Sequence, residues 1–398
     1  MYEILTQILD IANYEVVSVE TNDEKITLDI QSTMKGAKCP RCKTYSSDLH
    51  ENHPRIVRDL PISGKACYLR FTRRRFLCPK CNDPFSEPFS EPFSEHLSFV
   101  KEHRDYTNRY QARIFHQVKE NNITAVIRLE CLTYERVESI FLTEAKSYIP
   151  ANPFAGLKRL GIDEICLRKG KQDFALILSN LDTGEVVDVI EKRTKEKLRQ
   201  RLEQLTSIER NQVTEVAIDM WKPYADVCSE ILPNVVITVD RFHVAKAINT
   251  ELKNLKNKEK ERHPEALKGS HYALLKNQDN LTDNQRENLV KIYETYPILR
   301  IGHRLKECLR RIFESHSTKE KATQRIQKWL LIAENHGLFP DFRKTLLNWL
   351  DKITNYFRQR TTSGIVEGIN NKIKLIKRRA YGFRNFENFR LRVIVAFL

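Results

Sequence analysis

The chain has 398 residues, of which 41% are hydrophobic and 30% charged, enough apolar sequence for two or three folded domains. No stretch approaches the ~20 consecutive apolar residues that span a bilayer, and the acidic start MYEILTQILD is not typical of a signal peptide. Nine cysteines, an odd number, argue against a disulfide framework, so we expect a reducing compartment.

The positive charge is concentrated in two regions. The formal net charge is +15, yet residues 1–240 carry 34 basic and 36 acidic side chains, whereas residues 241–398 carry 33 and 16. Within the near-neutral half, residues 35–81 hold 12 basic and 3 acidic side chains. One interpretation of this charge is a solvated, lysine-rich surface without a specific partner. Two basic regions favour a nucleic-acid partner, because each neutralised phosphate releases counterions.

The N-terminal part, residues 1–33, is predicted to be a helix followed by a hairpin. Ile4, Leu5, Ile8 and Leu9 have helical spacing. The runs YEVVSV and KITLDI around the turn TNDE are typical of two paired strands.

Two C-x-x-C pairs dominate the next region, residues 34–96. Cys39 and Cys42 stand in CPRC, and Cys78 and Cys81 stand in CPKC. Four thiolates suit tetrahedral Zn²⁺, because soft sulfur ligands favour zinc over hard cations. An iron–sulfur cluster is the other metal-based interpretation, although nothing nearby indicates electron transfer. We therefore predict a zinc ribbon with one structural zinc ion.

Basic residues and a repeat flank the second cysteine pair. Arg73, Arg74 and Arg75 precede it and are predicted to contact the phosphate backbone of DNA. The tetrapeptide PFSE then occurs three times, from Pro84 to Glu95. Proline at every fourth residue excludes a helix, so we predict an extended linker, with an interaction motif as the alternative.

Residues 97–150 have the pattern of a helix-turn-helix. The segment ITAVIRLECLTYERVESIF contains two short amphipathic stretches. Thr133 is placed to cap the second, and Val137, Ile140 and Phe141 to pack inward. This indicates a DNA-binding region with Arg136 as a contact, although any small helical hairpin has the same outline.

The periodicity becomes that of strands in residues 151–242. KRLGIDEICL, KQDFALILSN and GEVVDVIEK read as three strands, before a helix, the strand VTEVAID, a helix and the strand NVVITVD. This order predicts a ribonuclease-H-like α/β core within a multi-domain chain. Residues 243–360 are predicted to be an α-helical insertion with its tryptophans in the core, and residues 361–398 to be C-terminal helices of the core.

Three carboxylates stand at positions where a negative charge is either costly to bury or isolated among basic residues. Asp163 lies inside a strand, Asp219 closes a buried strand, and Glu367 heads a basic helix. Each alone reads as a cap or an ion-pair partner. Together they predict a catalytic site with two Mg²⁺ or Mn²⁺ ions, since three carboxylates with water and phosphate suffice for such ions. Asp240 also ends a strand and is a rival for Asp219.

Further residues are predicted around this site. Asp240, His243 and Asn371 are expected to support the metal ligands, with a phosphate contact as the alternative for His243. The stretch that follows Glu367 is strongly basic. Its predicted DNA contacts are Lys372, Lys374, Lys377, Arg378, Arg379 and Arg384.

These segments together resemble bacterial insertion-sequence transposases of the ISL-three family, a DDE-type group with an N-terminal zinc ribbon. The resemblance covers nearly the whole chain and rests on CPRC, HENHPRIVRDLPISG, RRRFLCPKC, GIDE, DMWKPY, LPNVVITVDRFHV and SGIVEGINNKIKLIKRRAYGFRN. It implies a catalytic triad of Asp163, Asp219 and Glu367 in a ribonuclease-H-like domain with an α-helical insertion. It also implies that the zinc ribbon and helix-turn-helix recognise terminal inverted repeats. The triplicated PFSE departs from the family pattern, in which one such segment is expected.

The resulting hypothesis is a Mg²⁺-dependent transposase that cuts double-stranded DNA at the ends of its own element and joins the 3′-hydroxyls to target DNA. Two alternatives stay open: a non-catalytic DNA-binding regulator, and a structure-specific nuclease that cuts without joining. Two element ends must be handled together, so we expect a homodimer or a larger assembly on DNA. We expect it in the bacterial cytoplasm, associated with the nucleoid and not with a membrane.

Overall fold

The computed structural model describes residues 2–81, 91–168, 173–262, 267, 269–360, 364–383 and 385–398. The chain is a mixed α/β protein, as predicted, and divides into two compact units, Met1–Tyr148 and Ile149–Leu398. Within the described ranges, no helix has both the length and the apolar character needed to cross a bilayer.

The first unit combines a five-stranded sheet and a separate two-stranded sheet with four helices. Its strands are β1 Tyr14–Thr21, β2 Lys25–Ser32, β3 Ala37–Lys38, β4 Tyr45–Ser46, β5 Leu49–Ile62, β6 Lys65–Phe76 and β7 Phe93–Ser94. Its helices are α1 Tyr2–Leu9, α2 Asn108–Glu120, α3 Ile123–Glu130 and α4 Tyr134–Tyr148.

The N-terminal hairpin and the long β5–β6 hairpin form one sheet in the order β1-β2-β6-β5. Strand β2 pairs in parallel with β6, with Leu28 opposite Leu69, while β5 and β6 are antiparallel. Leu28, Val57 and Leu69 are buried in the common core, which also receives Leu9 of α1. The residues predicted as an N-terminal hairpin therefore share their core with the cysteine-bearing hairpin.

The third PFSE copy is part of this sheet and not a linker. Phe93 and Ser94 form β7, which pairs with the end of β6, and Phe93 is buried against Phe76 with ring centroids 6.0 Å apart. Glu95 is buried and forms an ion pair with Arg74 at 2.7 Å. The prediction of a linker is wrong for this copy, because its aromatic ring and its acid both have partners in the fold. The first two copies lie largely outside the described residues.

Two buried carboxylates connect the helices of the first unit to β5. Asp59 accepts hydrogen bonds from Thr107 Oγ1 at 2.7 Å and from Arg109 Nε at 2.7 Å. Glu130 of α3 forms ion pairs with Arg58 of β5 and Arg113 of α2, at 3.5 and 2.9 Å. Buried charges are stable only when paired in this way, so these contacts hold α2 and α3 firmly against the hairpin.

The second unit contains a sheet and a long helical segment. Its strands are β8 Arg159–Arg168, β9 Asp173–Asn180, β10 Val186–Glu191, β11 Glu215–Ile218 and β12 Val236–Val239. Its helices are α5 Lys195–Glu203, α6 Ser207–Gln212, α7 Lys222–Ile231, α8 Arg241–Arg262, α9 Ser270–Leu275, α10 Asp283–Thr295, α11 Pro297–Glu314, α12 Lys319–Asn335, α13 Pro340–Asn348, α14 Leu350–Thr354, α15 Tyr356–Gln359, α16 Gly364–Arg379 and α17 Phe386–Val395.

The strand order in the second sheet is β10-β9-β8-β11-β12. The first three strands form an antiparallel meander, and β8, β11 and β12 are parallel. Alternate residues of β8 face opposite sides: Leu160 and Ile162 join the core with α5 and α7, whereas Ile165 joins the core with α16 and α17. Asp163 alternates with Ile162 and so belongs to the α16 side.

Helices α8 to α15 form a separate apolar core in the second unit. Trp329 is buried at its centre, and its Nε1 donates a hydrogen bond to the carbonyl of Leu305 at 2.7 Å. Phe339 and Phe342 pack against the Trp329 ring. The prediction that this tryptophan is a core residue is confirmed, and so is the helical character of the segment.

Candidate metal centres and nucleic-acid surface

Four cysteine sulfurs converge in the first unit. The sulfurs of Cys39, Cys42, Cys78 and Cys81 all lie within 4.8 Å of one another, and those of Cys42 and Cys78 are 3.4 Å apart. Hydrogen bonding with Thr44 lowers the pKa of the Cys42 thiol to about 6. A cluster of four thiolates needs a cation to offset their mutual repulsion, and this donor set fits tetrahedral Zn²⁺.

Local turns and one hairpin assemble this cluster. In the first pair, the backbone N–H of Lys43 donates to the carbonyl of Cys39, and Cys39 N–H donates to the carbonyl of Thr44, at 2.9 and 2.8 Å. Lys43 has a positive φ of 63°, which closes the turn tightly. In the second pair, the N–H of Cys81 donates to the sulfur of Cys78 at 3.4 Å. The β5–β6 hairpin returns the second turn to the first.

Two of the predicted acids meet in the second sheet. Strand β8 pairs with β11, with Gly161 opposite Ala217, and extending that parallel register by two residues brings Asp219 beside Asp163. Burial raises the pKa of Asp219 above its ordinary value, the charge of Asp163 adds to this rise, and His243 opposes it. A desolvated carboxylate next to a second carboxylate is suited to bind a divalent cation with oxygen ligands.

Three basic side chains lie near Asp219. His243 Nδ1 lies 3.8 Å from Asp219 Oδ2, and the charges of Arg193 and Lys246 also lower the pKa of Asp219. Arg193 is held by Glu164, its partner in a 2.7 Å ion pair. Glu164 also accepts a hydrogen bond from Tyr224 Oη at 3.1 Å, and Tyr224 belongs to the core with α5 and α7, so Glu164 lies on the opposite side of β8 from Asp163.

Asn370 was not predicted from the sequence, yet it contacts the acid site directly. Its Nδ2 donates a hydrogen bond to Asp163 Oδ2 at 2.5 Å. Asn371, which was predicted to support the site, is exposed. The difference follows from helix geometry: at about 100° per residue, Asn370 lies beside the buried stripe of Ile369 and Ile373, whereas Asn371 lies opposite that stripe. The spacing of the apolar residues along the helix therefore indicates that Asn370, and not Asn371, lies next to the buried face.

Glu367 lies one helical turn, about 4.5 Å along the axis, from Asn370 on α16. Its side chain is exposed and lines a cavity of about 260 Å³ with Arg241 of α8 and Arg310 of α11. Among the described residues, the four cysteines are the only group of three or more possible ligands within 4.8 Å of one another. Asp163 and Asp219 thus lie close enough for their charges to interact, whereas Glu367 does not form a three-ligand group with them.

Asp240, the alternative to Asp219 as a metal ligand, immediately precedes α8. Its Oδ1 accepts a hydrogen bond from the backbone N–H of Phe242 at 2.8 Å, and its own N–H donates to the carbonyl of Ile218 at 3.0 Å. An aspartate at the start of a helix stabilises the free N–H groups of the first turn. This capping contact accounts for an acid at the end of β12.

Comparisons with known proteins show which family the chain belongs to. Residues 160–393 match the DDE-type ISL3 family described as "Transposase", and residues 35–81 match the "zinc-finger of transposase IS204/IS1001/IS1096/IS1165". The chain belongs to the ISL3 family of DDE transposases. The zinc-ribbon prediction is confirmed by the second match and by the cysteine cluster.

Curated relatives extend the similarity over the whole transposase chain. The "Transposase for insertion sequence element IS1001" of Bordetella parapertussis is 28% identical over 381 residues, which is 94% of this chain and 91% of the relative. The "Transposase for insertion sequence element IS1557" of Mycobacterium tuberculosis is 25% identical and covers 73% of this chain and 71% of the relative. A Lactococcus lactis protein named "ATP-dependent protease" is 31% identical over only 29% of this chain and 41% of its own length.

The basic residues of α16 in this transposase have different surroundings. Lys374 and Arg378 are exposed and share the face that carries Glu367. Lys372 instead donates to the carbonyl of Ala396 and lies 4.5 Å from the centre of the Phe397 ring, and Lys377 donates to the carbonyl of Cys166. Arg379 is exposed, and Arg384 lies outside the described residues. The exposed face of the helix is thus acidic at its start and basic further along.

The predicted DNA contacts of the first unit are all engaged with acids of their own chain. Arg73 pairs with Glu102 at 2.7 Å, Arg74 with Glu95, and Arg75 with Glu51 at 2.9 Å. Arg136 of α4 forms an ion pair with Asp105, and its guanidinium lies 4.9 Å from the centre of the Tyr106 ring. The helices around it have the predicted packing, since Val137, Ile140 and Phe141 are buried.

Proposed function

We propose that this transposase binds the terminal inverted repeats of its insertion sequence, cleaves DNA there and joins the 3′ ends to target DNA. The observation that carries the proposal is the pair of acids from distant segments, Asp163 and Asp219, beside a helix that contains Glu367. The sheet order, an antiparallel meander followed by two parallel strands, supports a ribonuclease-H-like core. Helices α2, α3 and α4 support a helix-turn-helix role for the first unit.

Asp163, Asp219 and Glu367 are proposed as the metal ligands. Bound Mg²⁺ or Mn²⁺ ions would supply the charge that activates a water or a 3′-hydroxyl and stabilises the leaving oxygen. Asn370 Nδ2 donates to Asp163 Oδ2 and the backbone N–H of Glu164 donates to Asp163 Oδ1, so both oxygens are oriented, and each keeps a lone pair that would serve a metal. Glu367 lies three residues before Asn370 on the same helix, and its long side chain is proposed to turn toward the two aspartates when metal binds.

The charges around the acids position the DNA. His243, Arg193 and Lys246 reduce the negative field at Asp219, which allows a phosphate to approach the carboxylates. Lys374 and Arg378 extend from Glu367 along the exposed face of α16 and are proposed to contact the strand next to the scissile phosphate. Because two ends are processed together, the active form is proposed to be a dimer or a larger assembly.

The experiment uses the full-length protein and duplexes from both sides of its gene, which should contain the inverted repeats. We expect Mg²⁺-dependent nicking at the repeat end and recovery of joined products. Asp163→Asn, Asp219→Asn and Glu367→Gln should each reduce nicking by about 10³-fold or more, while gel shifts show unchanged binding. Nicking at the wild-type rate by all three variants would refute the assignment. Cutting without joined products would favour a nuclease.

A further inference from the structure

A basic cavity of about 290 Å³ lies on the β5–β6 hairpin, beside the segment that leads into α2. Arg55 of β5, Arg73 of β6 and Lys101 line it, together with His96, and its one acid is Glu102. Arg55 is opposite Phe71 and Arg73 is opposite His53 in the antiparallel pairing, so the two arginines are diagonal neighbours on one face of the sheet. The cavity therefore combines three permanent positive charges with one negative charge.

Arg73 differs from the two arginines that follow it. Arg74 binds Glu95 with two nitrogens and also donates to Ser32 Oγ and to the carbonyl of Met34. Arg75 donates to Glu51 and to the carbonyl of Pro92. Among the described residues, the Arg73 guanidinium pairs with Glu102 alone, and its buried Nε has no hydrogen-bond partner. The Arg73 guanidinium thus has unused hydrogen-bonding capacity, whereas each nitrogen of the Arg74 guanidinium has a partner.

The ion pair between Arg73 and Glu102 is suited to exchange. The Arg73 side chain is 16% exposed, whereas that of Glu102 is 73% exposed. An exposed carboxylate contributes little to such a pair, because water competes for it and ordering the side chain has an entropic cost. A phosphate can accept two parallel hydrogen bonds from a guanidinium and so is the stronger ligand.

We propose that this cavity binds a backbone phosphate of DNA, with Glu102 as the group that the phosphate displaces from Arg73. The inference rests on the proposed function, since it names a contact of the end-binding unit. Arg55 and Lys101 supply the remaining charge, and Arg55 is fixed by donating to the carbonyl of Arg104 at 2.5 Å. A backbone contact carries no base information, so the cavity sets affinity and register and not sequence preference.

The test measures binding of the full chain to two fluorescent duplexes by anisotropy, one from the DNA that flanks its gene and one of shuffled sequence. Arg55→Gln and Lys101→Gln should each weaken binding to both duplexes by about 3- to 10-fold and lower the salt slope by about one. Glu102→Gln should tighten binding to both by a few fold, an effect that a purely structural role of Glu102 does not give.

Lys25→Gln is the matched control, because it removes one positive charge from the same sheet. Lys25 is exposed and lies opposite Ala66, seven residues or about 23 Å along β6 from Arg73, so its loss should leave binding unchanged. Thermal melts of all variants identify any loss of folding. Lys101 and Glu102 are exposed, so their variants should remain folded even if Arg55→Gln does not.

Each result is decisive. Wild-type binding with unchanged affinity in Lys101→Gln and Glu102→Gln would overturn the cavity and leave end recognition intact. Failure of the wild type to bind either duplex would refute the proposed function, and the cavity with it. A further experiment compares the unfolding temperature in inorganic phosphate with that in chloride at constant ionic strength. If phosphate stabilises the wild type but not Lys101→Gln, while DNA affinities stay equal, the cavity binds free phosphate and the DNA assignment is wrong.

Discussion

The cysteine cluster and the acid cluster hold their ligands in different ways. The four sulfurs come from two tight turns that a single hairpin brings together, and all four lie within 4.8 Å of one another. The acids come from a strand, the end of a second strand and a helix more than 140 residues further along the chain. Only Asp163 and Asp219 are neighbours in the sheet.

The comparison shows which contacts fix the geometry of each site. Short loops and a continuous hairpin fix the zinc ligands through backbone hydrogen bonds, so the site is part of the fold of the first unit. The acid site is fixed by the parallel pairing of β8 and β11 and by one side-chain hydrogen bond from α16. We infer that charge from metal and DNA completes it by drawing Glu367 toward the aspartates.

The largest effect should come from loss of the zinc ligands. Cys42→Ala should reduce bound zinc from one ion per chain to none and unfold the zinc end of the first unit, because structural Zn²⁺ contributes about 10 kcal/mol or more to small domains. Zinc content by mass spectrometry and circular dichroism check this. Cys308→Ala, which removes an exposed cysteine of α11, should retain the zinc. Full zinc content in the Cys42 variant would contradict a four-sulfur site.

The second-largest effect is expected on the cleavage rate of Asn370→Ala, with Asn371→Ala as its control. Asn370→Ala frees Asp163 from its hydrogen bond and should reduce cleavage by about 10- to 100-fold, which is typical when a group that orients a metal ligand is lost. Asn371→Ala removes an exposed side chain of the same kind and should leave cleavage unchanged. Excess Mn²⁺ should partly restore the Asn370 variant, because the ligand itself remains. Equal rates for both variants would show that the contact does not position Asp163.

A smaller effect concerns stability without metal. The folded pKa of Asp219 is raised above 3.8, so the folded state binds more protons than the unfolded state and loses stability as pH rises through the raised pKa. Asp219→Asn should therefore raise the unfolding temperature at pH 7 by a few degrees in EDTA, and the gain should vanish below about pH 3.8. A loss of stability at pH 7 would show that the ionised carboxylate stabilises the fold.

The smallest effect tests the basic face of α16. Lys374→Gln should weaken DNA binding about threefold at moderate salt, because it removes one phosphate contact. Lys372→Gln has the same change in charge, but Lys372 is held by the carbonyl of Ala396 and the ring of Phe397. Its DNA affinity should therefore remain close to that of the wild type. Anisotropy titrations with one duplex compare the pair, and a reversed order would contradict the assignment of this face.

The sequence predicted what depends on short spacing or on strand periodicity. The two C-x-x-C pairs predicted the cysteine cluster, and the runs KRLGIDEICL, KQDFALILSN and GEVVDVIEK predicted β8, β9 and β10. The third PFSE copy was predicted wrongly, because nothing in the repeat distinguishes the copy that meets Phe76 and Arg74 from the other two. Partners such as Glu95 for Arg74 depend on which elements meet in space, and spacing along the chain does not contain that information. For Asn370, the helical spacing indicates the face of α16 but not the contact with Asp163.

The most direct test of the account is the number of Mn²⁺ ions bound per chain in the presence of the end duplex, measured by electron paramagnetic resonance titration. We expect two ions for the wild type, as three carboxylates and a phosphate require. Glu367→Gln should bind at least one ion much more weakly, while its zinc content and affinity for the duplex stay unchanged. The same number and affinity of Mn²⁺ ions in wild type and variant would contradict the claim that Glu367 completes the site of Asp163 and Asp219.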